Sequence, residues 1–103
     1  MIYKTDYHIH TSFSDGKSAP RDYIEPAIEA GLKEIGFSDH FNLIRQEHEP
    51  TMGLPEAFKY LDHINRLKSS ASDIKVRTGL EVDYFPVKED EIRTILSEME
   101  LDY

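Results

Sequence analysis

Three short runs with strand character, residues 2–10, 33–39 and 74–82, alternate along the chain with three runs of helical spacing. Strands that alternate with helices pair in parallel, because each helix carries the chain back to the starting edge before the next strand begins. The order β-α-β-α-β-α therefore restricts the chain to the α/β class, as an open sheet or as part of a barrel. The closing Leu101-Asp102-Tyr103 looks like the start of a fourth strand.

Period two in the first run places Asp6, His8 and His10 on one face, with Tyr7 and Ile9 on the other. After a Ser14-Asp15-Gly16 turn, Ser18 is placed to cap a helix, Pro20 suits its first turn and Gly31 its end. Pro26 within that helix removes one backbone donor and predicts a kink. In the second strand Ile35 and Phe37 share one face, while Gly36, Ser38 and His40 share the other. A charged loop with one proline, Pro50, covers 41–53, and Ala57, Tyr60, Leu61, Ile64 and Leu67 then recur at helical spacing behind Pro55. In the third strand Ile74, Val76, Thr78, Leu80 and Val82 form one face, with Gly79 and Glu81 opposite. Ile92, Ile95, Leu96 and Met99 mark the third helix. The apolar faces are expected to pack on the helices. The small residues Gly36, Ser38 and Gly79 suit a crowded barrel interior or the floor of a site.

Length sets a limit: 103 residues make one domain at most, well short of the roughly 200 to 250 of a complete α/β barrel. The formal charge is -8, from 20 acidic and 12 basic side chains, with no run of lysine or arginine. That balance argues against a general nucleic-acid binder, although a bound metal could reverse the local field for a phosphate. With no cysteine, disulfides and thiolate metal sites are excluded, so any metal must rest on nitrogen and oxygen. The N-terminus lacks the apolar core of a signal peptide and no window resembles a membrane span, so a cytoplasmic protein is expected.

In parallel α/β folds, reactive groups gather at the C-terminal ends of the strands. His8 and His10 end the first strand, Asp15 lies in the loop after it, His40 ends the second and Glu81 ends the third. Two histidines at i and i+2 have Cα atoms roughly 6 to 7 Å apart on one face, so both rings can lean onto one cation. Taken alone, His-x-His fits two surface histidines as well. Asp15 could equally be a turn residue bonded to its own backbone, and His40 a loop histidine. Asp39, of opposite parity, suits a structural or supporting role rather than that of a ligand. Glu81 is hardest to explain without a cation, because it points inward beside Gly79, where an unpaired charge is costly. His63 beside the second helix stripe reads as solvated, Tyr7 and Tyr84 as packing residues. Arg45 and His48, in the loop after the second strand, are candidate substrate contacts.

The stretches "DYHIHTSFSDG", "IGFSDHFN" and "TGLEVDY", in that order, resemble the PHP family, the polymerase and histidinol phosphatase domains. The "GLEVDYFP" stretch, a helix and then "LDY" are most similar to the histidinol-phosphatase branch. The resemblance implies a distorted (β/α)7 TIM-like barrel with two to three divalent ions, zinc, manganese or iron. It implies hydrolysis of a phosphomonoester, with L-histidinol phosphate leading, by metal-activated hydroxide and no side-chain nucleophile. His8 and His10 would share a metal, Glu81 would bridge two, and Asp15 and His40 would hold a remaining one.

The family's further ligands would lie beyond Tyr103, so the chain is expected to be the N-terminal portion of a PHP domain, about three βα units of the barrel. Either a longer protein or a homo-oligomer of copies would complete the open side, and the span alone is not expected to suffice for turnover. Two alternatives stand beside the phosphatase: a metal-binding or assembly module without turnover, and the nuclease-like branch of the family, which the acidic charge and lack of basic or aromatic patches disfavour.

Overall fold

The structure, a computed structural model, describes residues 3–103. Ile2, the first residue of the expected opening strand, lies outside the described residues. Strands β1 (Thr5–Ile9), β2 (Glu34–Phe41) and β3 (Lys75–Val82) form one parallel sheet in the order β1-β2-β3. Between them run α1 (Ile24–Glu29) and α2 (Leu54–Ser70), and α3 (Glu89–Ser97) follows β3. The α/β reading therefore holds, with parallel neighbours joined through helices as the alternation requires.

β2 and β3 run in unbroken register from Glu34 opposite Lys75 to Phe41 opposite Val82. β2 is two residues longer at its end than its sequence pattern suggests, because Phe41 remains paired with Val82 and packs beside Ala57 and Met99. Strand alternation then divides the side chains. Ile35 and Phe37 join Tyr60 and Ile64 of α2, together with Ile74, Val76 and Met52, in the principal core. Gly36, Ser38, His40, Gly79 and Glu81 face the other way. Tyr60 is wholly buried, and its hydroxyl donates to the Gly79 carbonyl at 2.8 Å, tying α2 to β3.

β1 departs from simple alternation. Asp6 aligns with Ile35 and Ile9 with Phe37, so three steps of β1 match two of β2, a bulge. Ile9 keeps its place at the core, but Tyr7 does not share its side as expected. Its hydroxyl instead donates to Glu34 on the open face, which raises the Tyr7 pKa and lowers that of Glu34. Tyr7 and His8 are thus both delivered to the open face, a result that alternation within β1 alone cannot yield.

The first helical region is also built differently from its pattern. Pro20–Tyr23 is a 3-10 turn that leads directly into α1. Ala19, not Ser18, precedes the turn, and the Asp22 carboxylate accepts from its N–H at 3.2 Å. Ser18 is spent elsewhere: its carbonyl accepts from Ser12 N–H at 2.8 Å and closes the loop after β1. Pro26 is the third residue of α1, where a backbone donor lacks an intrahelical partner anyway, so the expected mid-helix kink is replaced by this 3-10 entrance. Gly31 does end the unit, with φ of +82°. At the start of α2, Glu56 accepts from Gly53 N–H at 2.9 Å, half of a capping box.

The segment after α3 returns to the free edge of β3 without forming a regular strand among the described residues. Asp102 and Tyr103 N–H both donate to the Thr78 carbonyl, at 2.7 and 3.3 Å, and Asp102 accepts from Thr78 N–H. The Tyr103 ring lies across the open face, its hydroxyl donating to the Tyr7 carbonyl. Only positions without a Cβ allow this: one added at Gly36 would fall 2.2 Å from the Tyr103 hydroxyl, and one at Gly79 2.7 Å from its ring. Burial raises the Tyr103 pKa to about 12.

Candidate metal centre

His8 and His10 are delivered by the bulged end of β1, Asp15 by the loop that follows, His40 by β2 and Glu81 by β3. The register puts His40 directly opposite Glu81, and in a parallel pair opposite residues project to the same side. All five side chains consequently meet. Glu81 lies at the centre: Oε1 is 3.2 Å from both His8 Nε2 and His10 Nε2, and Oε2 is 3.1 Å from His40 Nδ1. Asp15 closes the other side, with Oδ1 2.8 Å from His10 Nδ1 and Oδ2 3.2 Å from His40 Nε2.

Two groups of donors result, His8 with His10 and Glu81, and His10 with Asp15 and His40, each with its donor atoms within 4.8 Å of one another. Their spacing tests whether a cation fits. Nitrogen and oxygen donors roughly 2.0–2.1 Å from a tetrahedral ion stand about 3.3 Å apart, close to the 3.1–3.2 Å separations around Glu81. His10 Nε2 adds a separate indication. It is buried and has no hydrogen-bond partner, although Glu81 Oε1 is 3.2 Å away. A buried orphan nitrogen is costly, and a shared cation would relieve it. The residues present therefore fit a divalent ion, and no cysteine competes for that role.

The electrostatics favour an ionised Asp15. Burial pushes the Asp15 carboxyl upward, but the His10 hydrogen bond and the nearby His10 and His40 rings outweigh it and hold the pKa below the usual aspartate value. The rings themselves are close, His8 and His10 at 4.8 Å between centroids and His10 and His40 at 4.4 Å.

Space around the Asp15 loop is limiting. A Cβ on Gly16 would fall 2.1 Å from the His10 carbonyl oxygen and 2.7 Å from Thr11 Cα, both backbone atoms that cannot swing aside. Gly16→Ala is expected to force the loop off the strand end and to lower stability by about 1–3 kcal/mol, read as a shift in the urea midpoint. An unchanged midpoint would mean that the loop has slack there.

Asp39 projects to the helix side, wholly buried, as its parity requires. Its partners, Thr11 and Ser14, were not legible as a group, because 28 and 25 residues separate them from it. Arg45 and His48 stand apart from the five among the described residues: Arg45 Nε donates to the Thr51 carbonyl at 2.6 Å, and His48 projects into solvent with φ of 73°. His63 is not freely solvated but half-buried, its ring 5.6 Å from that of Phe13 in an edge contact. Tyr84 is 63% exposed and donates to Glu89, so it does not pack in the core as expected.

Comparison with known proteins adds a second line. The PHP domain family matches residues 6–103. A histidinol-phosphatase of Lactococcus lactis subsp. lactis (strain IL1403) is 40% identical over 77% of this chain and 29% of its own length. Another from Bacillus subtilis (strain 168) is 36% identical over 90% of this chain and 38% of its own. Among solved structures, a histidinol phosphate phosphatase of the same Lactococcus strain, complexed with zinc, L-histidinol and phosphate, superposes with a TM-score of 0.79. It is 32% identical and covers 97% of this chain and 38% of that one. The chain thus spans well under half the length of these relatives. The match over 6–103, a span that includes the three strand ends that bring the five side chains together, establishes that this chain belongs to the PHP domain family.

Proposed function

We propose that the protein to which these residues belong is a metal-dependent phosphatase that converts L-histidinol phosphate to L-histidinol, a step in making histidine. The single observation that carries this reading is the convergence of His8, His10, Asp15, His40 and Glu81 about the orphaned His10 Nε2. The relatives named histidinol-phosphatase, and the neighbour that holds zinc, L-histidinol and phosphate, support the choice of reaction. The 103 residues are read as the first part of one PHP domain, about three βα units of a distorted (β/α)7 barrel. Remaining units, or a second copy, would cover the open face, and a cytoplasmic location follows from the reaction. No helix is long and apolar enough to cross a membrane among the described residues.

In this reading His8, His10 and Glu81 would hold one divalent ion and Asp15 with His40 would contribute to a second, with Glu81 placed to serve both. A third ion would depend on residues outside this span. Zinc is favoured over manganese or iron by the structural neighbour. When bound, such ions acidify water and neutralise phosphoryl charge. The chain's own part is to fix the donors at the C-terminal end of the sheet and to keep Asp15 ionised. Arg45 and His48, on the loop after β2, are the proposed contacts for the substrate.

At native length, the protein should release phosphate from L-histidinol phosphate, lose that activity with a chelator and regain it with zinc. Bound metal without turnover would favour a binding module, and preferential degradation of an oligonucleotide would favour a nuclease.

A further inference from the structure

Asp39 stands back to back with His40 on β2, on the helix-facing side, with none of its surface exposed. A carboxylate in an apolar layer is costly unless its oxygens are fully engaged. Here they are. Oδ1 accepts from Thr11 N–H and from the Ser14 hydroxyl, both at 2.6 Å, and Oδ2 accepts from the Thr11 hydroxyl at 2.8 Å.

Those partners are Thr11, where the turn that carries Asp15 begins, and Ser14, the residue just before Asp15. The Thr11 carbonyl accepts from Ser14 N–H at 3.0 Å and from Gly16 N–H at 2.8 Å, so the turn winds about Thr11. Ser14 also accepts from His40 N–H at 3.2 Å, which couples the turn to the β2 backbone at His40. Asp15 leaves the turn between Ser14 and Gly16, and its oxygens reach His10 and His40.

We propose that Asp39 is a positioning residue for the metal centre: through Thr11 and Ser14 it sets the Asp15 carboxylate against His10 and His40. This inference rests on the metal-centre reading above. It assigns to Asp39 its main control over the donor group of His10 with Asp15 and His40, and a lesser effect on the group formed by His8, His10 and Glu81, which shares only His10 with the first.

Zinc affinity, measured by competition with a chromophoric chelator on the protein at native length, tests this. Ser14→Ala, which removes one hydroxyl, and Asp39→Ala are each expected to weaken one zinc equivalent by about 10–100-fold, with the others weakened clearly less. Asp39→Asn should fall between Asp39→Ala and the wild type. Its amide oxygen can still accept from Thr11 N–H and Ser14, while its NH2 donates to the Thr11 hydroxyl. Should Asp39→Ala fail to fold, Ser14→Ala decides. Lower melting temperatures with every zinc affinity unchanged, or equal weakening of all equivalents, would overturn the proposal and leave Asp39 as a structural group. A wild type that binds no zinc would overturn the metal-centre reading itself, and it would do so before any variant is compared.

Discussion

Under the phosphatase reading proposed above, Glu81→Gln in the protein at native length is expected to lower the rate of phosphate release by about 10³-fold and to reduce its metal content. Glu81 is the only side chain of the five that approaches all three histidines, within 3.1–3.2 Å. Glutamine preserves its shape but replaces one anionic oxygen with an amide that cannot ligate. A catalytic metal contributes several kcal/mol, and about 4 kcal/mol corresponds to about 10³-fold in rate. The metal-free protein should unfold within about 0.5 kcal/mol of the wild type, since Glu81 is half-exposed and outside the core. Metal analysis and phosphate release on the same preparations check the two effects together. Full metal content in the variant would remove Glu81 from the centre.

Phe37→Ala is expected to give the largest loss of stability, about 3–5 kcal/mol, from a cavity in the middle of the sheet. Phe37 has no exposed surface, and its ring meets the edge of Tyr23 at 6.2 Å while the core around it includes Tyr60 and Ile64. Because typical domains hold only about 5–15 kcal/mol, this single truncation should bring the fold near its limit. A urea titration should show a lower midpoint with an unchanged slope. Phe37→Leu, which refills much of the volume, should recover most of the loss. If Phe37→Ala shifted the midpoint no more than a surface change, the core would have to lie elsewhere.

Much of this arrangement was legible from alternation. Strand parity placed His40 and Glu81 on one face and Ile35 and Phe37 on the other, because β2 and β3 keep an unbroken register. The bulge in β1 was not legible, since it exists only as a mismatch against β2, and Tyr7 was consequently assigned to the wrong side. Ser18 has the chemistry of a cap, but its backbone closes the preceding loop, and no local preference could reveal that competition. The partners of Asp39 were hidden for the same reason: two hydroxyl residues of an ordinary polar loop acquire their meaning only when β1 and β2 come together.

The pairing of Asp39 and His40 on consecutive positions of β2 has a wider consequence. One side chain belongs to the chemistry and the next to the scaffold, and they are separated only by the pleat. Loss or gain of one residue between Ile35 and Asp39 would exchange them, turning the imidazole into the apolar layer and the carboxylate toward solvent. The spacing along this strand cannot drift without exchanging the two, so differences in length should be confined to the loops on either side.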